Sequence, residues 1–234
     1  MISFIIPTIY KSQRIKKLVA DLCDCDLVSE ILIIEDTSDF VDRDIFFPFC
    51  NDKLKIIKFT KKRYCNGAWN YGIKNVKNYF YALCNDDINF NTSIIYDVIN
   101  FYKQRPKSGF IGMHPSQYDI NTKPYRYGFE LKDKFSPANN GWGCLIFNHR
   151  GNDVYIPSDL KHWCGDTYYL LNSKYPSYSY LGDKVQTEMS TSSSSDIIAL
   201  GEDDQKIFLK KYTSPEYKEY SKQNHPDINI KDYA

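Results

Sequence analysis

Three short polar runs follow apolar β-branched runs along the first third of the chain: Pro7-Thr8, then Glu35-Asp36-Thr37-Ser38, then Asn85-Asp86-Asp87. Carboxylates and amides in such places accept hydrogen bonds and hold hard cations. In an open α/β sheet, ligands bind outside the carboxyl ends of the strands, so polar side chains there are candidates for a site. Asp and Asn after a strand also serve as turn residues or helix N-caps. Three such runs at corresponding points are harder to assign to turns alone. Further along, His162-Trp163-Cys164-Gly165-Asp166 sets a carboxylate beside an aromatic ring.

The elements that would carry these residues alternate as βαβ units, the pattern of an α/β protein with a mainly parallel sheet. Ile2 to Ile6 reads as a buried strand stopped by Pro7, and Ser12 to Leu22 as a helix burying Ile15, Leu18, Val19 and Leu22. Strands are expected at Glu30 to Ile34, Leu54 to Phe59, Tyr79 to Cys84 and Gly109 to Met113, with helices at Gly67 to Val76 and Thr92 to Tyr102. Beyond about residue 115 the alternation fails, and prolines and Asn139-Asn140-Gly141 mark loops. Later elements are a strand from Trp142 to Phe147, a helix from Gly165 to Leu171, a strand from Ser177 to Leu181 and surface helices over Asp203 to Tyr212 and Pro215 to Lys222. The serine run Ser190 to Ser195 is low in complexity, and Gln186 to Gly201 is expected to be a lid that closes on a ligand.

Composition narrows the function classes. The 234 residues, 42% hydrophobic and 25% charged, suffice for one sizeable core. Thirty basic and 29 acidic residues leave a net charge of +1, which offers no global field for nucleic acid or an anionic membrane. No apolar run is long enough to span a bilayer, and the N-terminus does not fit a signal peptide. A soluble, cytoplasmic protein is expected. The seven cysteines are an odd, scattered set, expected as reduced thiols, and the Cys23/Cys25 pair lacks a second pair at zinc spacing.

Four segments in order and spacing, Ser3-Phe4-Ile5-Ile6-Pro7-Thr8, Ile33-Ile34-Glu35-Asp36-Thr37-Ser38, Asn66-Gly67 with Asn70 and Gly72-Ile73, and Leu83-Cys84-Asn85-Asp86-Asp87-Ile88, resemble the inverting GT-A glycosyltransferases of family 2. Gly141-Trp142-Gly143 and His162 to Asp166 resemble the acceptor-side segment of that family. The resemblance implies a GT-A, Rossmann-like three-layer α/β/α sandwich with a mainly parallel mixed sheet. It also implies one domain over residues 1–234: a nucleotide-sugar-binding half to about 113, an acceptor-side half from about 114 to 200, and a C-terminal helical segment from 201 to 234. The implied partners are a nucleotide-diphosphate sugar donor and a glycan or other hydroxyl acceptor.

The resemblance assigns roles that chemistry makes intelligible. A departing diphosphate needs its charge neutralised, and Mn2+ or Mg2+ held by hard oxygen ligands does that. Asp87 is the expected ligand, with Asn85 and Asp86 orienting the ribose or metal-bound water. The family usually has Asp-x-Asp here, and Asn85 replaces its first acid. Where relatives place a further histidine ligand, this chain has Lys184 to Glu188, and Glu188 is the nearest oxygen donor. Asp36 corresponds to the residue that reads the base, favouring a ring N–H and hence UDP, TDP or GDP donors. Pro7, Thr8 and Asn70 are expected to line the nucleotide pocket. Trp69 stands where many relatives carry Arg, so Lys61, Lys62 or Arg63 is expected to supply the phosphate cation. Asp166 is the expected general base, or else an N-cap of its helix, with Asp159 and Asp183 as alternative bases. Trp142 and Trp163 are expected to bind the acceptor. A nucleotidylyltransferase would need a glycine-rich loop after the first strand, which Pro-Thr-Ile-Tyr-Lys-Ser does not provide. A non-catalytic nucleotide-sugar or glycan-binding module of the same fold is the other alternative.

Overall fold

The computed structural model describes residues 1–37, 52–117, 127–132, 144–188 and 195–217. Trp142 and the lid residues 189–194 therefore lie outside the described residues. The elements in chain order are β1 (Ile2–Thr8), α1 (Arg14–Asp24), β2 (Val28–Glu35), β3 (Leu54–Lys58), α2 (Tyr64–Asn75), β4 (Phe80–Cys84), β5 (Ile88–Phe90) and α3 (Ser93–Gln104). They continue with β6 (Ile111–Met113), β7 (Gly128–Leu131), β8 (Leu145–His149), α4 (Gly165–Asn172), β9 (Tyr178–Leu181), β10 (Val185–Thr187) and α5 (Ser195–Lys211).

One sheet has the strand order β3-β2-β1-β4-β8-β6-β9-β7. β1 pairs in parallel with β2 and β4, β2 with β3, and β6 with β9, whereas β8 runs antiparallel to both β4 and β6, and β7 antiparallel to β9. Successive side chains of a strand point to opposite faces, and the core divides accordingly. Phe4, Ile6, Ile31 and Ile33 pack with α1 and α3 on one face. Ile5, Leu32 and Ile34 pack with α2, α4 and α5 on the other. The result is the expected three-layer α/β/α sandwich on a mixed, mainly parallel sheet.

The differences from expectation have identifiable causes. Pro7 does not stop β1, because the ladder to β4 ends at Ile5 opposite Leu83 while pairing with β2 runs on to Thr8 opposite Glu35. A proline beyond the end of one ladder costs no hydrogen bond on that side. Helix α2 starts three residues earlier than its pattern suggests, because its first amides are capped by Asp36, remote in sequence. The short ribbon β5–β10 carries too few residues to show a period. Residues 195–201, expected within the lid, are the first turns of α5, and this helix buries Gly201, Asp204, Phe208 and Leu209 rather than lying on the surface. No helix among the described residues is long and apolar enough to cross a membrane.

Candidate active site

The carboxyl ends of β1 and β4 meet through side chains. Thr8 Oγ1 donates to Asp86 Oδ2 at 2.5 Å and accepts from the Tyr10 amide at 2.8 Å. Tyr10 is in the left-handed region at φ 59°, which turns the chain back so that its hydroxyl donates to Glu35 Oε1 at 2.7 Å. Burial pushes the Asp86 carboxyl up to about 6; the Thr8 hydroxyl opposes the shift, and the charges of Asp87 and Glu188 add to it. Asp87 is also raised by burial, with its own backbone amide opposing, the Glu188 charge adding and the Thr187 hydroxyl and Arg14 opposing, and its Oδ1 is buried with no hydrogen-bond partner. A buried carboxylate oxygen without a donor is costly in isolation and suits a cation. Asn85 is anchored by its amide, which donates to the Cys144 carbonyl at 2.9 Å.

Glu188 reaches this turn through the ribbon. With Thr187 opposite Ile88, the next amide, that of Glu188, donates to the Asp87 carbonyl at 3.1 Å. Its carboxylate is exposed and held from the start of α1 and the residues before it, accepting from Ser12 Oγ at 2.7 Å and pairing with Arg14 Nε at 3.1 Å. Residues about a hundred positions apart are thus adjacent. Among the described residues no group of three or more His, Cys, Asp or Glu side chains is gathered to hold a metal ion. The Asp86 and Asp87 carboxylates, with the Asn85 side chain next in sequence, are hard oxygen donors of the kind that Mn2+ or Mg2+ takes.

Asp36 has a structural engagement as well. Its Oδ1 accepts from the Arg63 amide at 2.6 Å and its Oδ2 from the Tyr64 amide at 2.7 Å, while its own amide donates to the Thr8 carbonyl at 3.0 Å. Two of the cations expected to meet phosphate, Lys62 and Arg63, stand at this point, together with Lys161, which was not expected. Arg63 lies 4.6 Å over the Phe59 ring, and Lys62 and Lys161 lie 5.0 and 5.8 Å from the Tyr64 ring centre. Cys65, next in the helix, has its thiol pushed up by burial and then by the charges of Asp86, Asp166 and Asp36.

The acceptor-side segment is fastened on two sides. Asn66 Nδ2 donates to the carbonyls of Leu160 at 3.2 Å and Trp163 at 3.0 Å. Buried Asp204 accepts the amides of Lys161, His162 and Trp163 at 2.9, 2.6 and 2.8 Å. Cys164, at φ 60°, takes the N-cap position of α4, so Asp166 is a first-turn residue rather than the N-cap, its Oδ1 accepting from the Thr167 amide at 2.8 Å. Trp163 leaves 40% of its surface exposed. Of the alternative bases, Asp159 is engaged by Lys211 and Tyr212 and Asp183 by Ser93.

Asn70 has structural partners too. Its Nδ2 donates to the Ile156 carbonyl at 2.7 Å and its Oδ1 accepts the Ile156 amide at 2.9 Å, so it ties α2 to the segment between β8 and α4. Pro7 is half-buried within β1, opposite Ile34. Tyr10, Ser12, Arg14 and Asp204 were not anticipated; only the polar loop after the first strand hinted at the first three.

The family model described as glycosyl transferase family 2 matches residues 3–159. Residues 1–349 of S. aureus TarS superpose with a TM-score of 0.64 at 14% identity over 98% of this chain and 74% of that one. The same fragment in complex with UDP-GlcNAc gives 0.62 at 14% identity with the same coverage. GalNAc-T7 with UDP, GalNAc and Mn2+ gives 0.68 at 10% identity over 100% of this chain and 52% of that chain. No curated protein matches the chain in sequence. At these identities the solved structures establish the fold, while the family match spans most of the chain and includes the β1, β2 and β4 ends described above; the chain belongs to glycosyl transferase family 2 and is a GT-A fold glycosyltransferase.

Proposed function

We propose that the chain moves a sugar from a UDP-, TDP- or GDP-linked donor to a glycan or other hydroxyl acceptor, with inversion, through a divalent cation. The observation that carries this reading is the buried Asp87 carboxylate oxygen without a hydrogen-bond partner at the carboxyl end of β4, in a turn where Thr8 of β1 bonds Asp86 and the Glu188 amide bonds the Asp87 carbonyl. Asp87 and Glu188 would hold Mn2+ or Mg2+, and Asn85 and Asp86 would orient the ribose. The cation, when bound, supplies charge neutralisation for the departing diphosphate. The solved relatives with UDP-GlcNAc, or with UDP and Mn2+, support this class of donor.

Asp166 would take the proton of the acceptor hydroxyl as that oxygen bonds to the anomeric carbon. The bond to the diphosphate breaks on the opposite face and its electron pair leaves with the phosphate, so one displacement inverts the centre. Its place in the first turn of α4, next to the half-exposed Trp163 on the segment that Asn66 of α2 fastens, supports this assignment. Trp163 offers the acceptor a half-exposed aromatic face, and Trp142 is proposed to add to it. Asn85 in place of an acid, together with the lack of a gathered three-ligand cluster among the described residues, favours the second reading, a binding module without turnover.

Thermal shift with UDP-N-acetylglucosamine and the TDP- and GDP-sugars, in Mn2+ and in EDTA, tests the proposal through the linkage of binding to stability. Stabilisation should be larger with Mn2+, and Asp87→Ala should remove that increment. Equal stabilisation in EDTA would withdraw Asp87 as a ligand. Release of UDP from the donor separates an enzyme from a binding module.

A further inference from the structure

The segment from Leu160 to Cys164 delivers both Trp163 and Asp166, and its backbone depends on a side chain that follows it by some forty residues. Asp204 of α5 is 1% exposed, and its two oxygens accept three consecutive backbone amides, those of Lys161, His162 and Trp163. Three amides pointing into one carboxylate fix the orientation of three successive peptide planes. Gly201, three residues earlier on α5, lies against the Trp163 indole, and a Cβ there would strike the ring. From the opposite side, Asn66 holds the Leu160 and Trp163 carbonyls. The chain then turns at Cys164 into α4, where a Cβ on Gly165 would collide with the Asn66 amide. Little freedom is left for where Asp166 starts its helical turn.

We propose that Asp204 is a positioning residue of the transfer reaction: from α5 it fixes the backbone of Lys161 to Trp163, and through it the placement of the Trp163 ring and the Asp166 carboxylate. The proposal rests on the reading of Asp166 as base and Trp163 as acceptor platform. A displacement of about 1 Å at a reacting group can cost about a hundredfold in rate, so a residue remote from the chemistry can govern it. Asn at 204 keeps the volume but offers one acceptor oxygen and turns an N–H2 group toward the same donors.

Hydrogen exchange and turnover, measured on the full chain, test this. In Asp204→Asn the amides of 161–163 should exchange at least about tenfold faster while those of β1, β2 and β4 keep their rates. The Thr167 amide, bonded to Asp166 Oδ1, should also exchange faster, which a merely local role of Asp204 would not cause. With UDP-N-acetylglucosamine and Mn2+ as the probe, kcat for UDP release should fall about ten- to a hundredfold and KM for the donor should not change. Gly201→Ala, which displaces only the ring, should lower kcat with near-normal exchange at 161–163. Lys206→Ala, exposed on the same helix, should change nothing. Unchanged exchange at 161–163 or at Thr167 in Asp204→Asn, or an unchanged kcat with a released loop, overturns the proposal. Should Asp204→Asn fail to fold, an unchanged kcat in Gly201→Ala overturns it. A wild-type protein that releases no UDP counts against the donor reading alone, and the exchange rates at 161–163 and Thr167 then decide the role of Asp204.

Discussion

Burial raises the Asp86 carboxyl to about 6 from an ordinary 3.8. The folded chain therefore keeps this proton over a range in which the unfolded chain has released it, and stability falls as pH rises from about 4 to about 6. A shift of this size corresponds to about 3 kcal/mol at most, and less with solvent relaxation. Asp86→Asn, whose oxygen can still accept from Thr8, should stabilise the ligand-free protein by about 1–3 kcal/mol at pH 7.5 and lose that advantage near pH 4. Urea unfolding at the two pH values measures the difference. The same substitution should weaken the Mn2+-dependent gain on donor binding, so that stability and function oppose each other at this residue. Asp166 behaves differently, because Cys164 holds the N-cap position. Asp166→Asn can still accept the Thr167 amide but cannot take a proton. Transfer should fall about 10²–10⁴-fold while the melting temperature barely moves.

Among the elements, α2 organises the site more than any strand end does. Its start is capped by Asp36, Asn66 in its first turn holds the acceptor segment, and Asn70 grips both backbone groups of Ile156. Asn70→Ala leaves a backbone donor and acceptor without partners and should cost about 1–3 kcal/mol in denaturant unfolding. Affinity of the folded protein for UDP should not change, which distinguishes a fastening role from the nucleotide contact suggested by the sequence. The apolar period of α1 was readable because the helix buries one regular face, and the β-branched runs of β1 and β2 because those strands are buried on both faces. The true start of α2 was not readable, since its cap comes from residue 36. The burial of α5 was equally hidden: Asp204 amid charged neighbours looks solvated until three amides close on it.

Across the whole molecule, β8 from the second half of the chain lies between β4 and β6 from the first. The proposed donor and acceptor halves thus share one sheet and two cores, and neither can be removed without exposing the other. Calorimetric unfolding should show a single transition whose calorimetric and van't Hoff enthalpies agree, and two resolved transitions would contradict this. The sequence by itself determined the alternating α/β architecture and the polar strand ends, because burial imposes a period on each element and the ends of buried strands must turn in water. It also determined the family, through four segments whose order and spacing survive without any knowledge of contacts. Only the tertiary structure decided which of these side-chain oxygens are engaged by distant backbone groups and which are not. Nothing in the local sequence marks the Asp36 carboxylate or the Asn70 amide as engaged, yet partners 27 and 86 positions away engage their side chains. Asp87 keeps one buried oxygen without a partner. That difference lies in long-range packing, which no local pattern encodes.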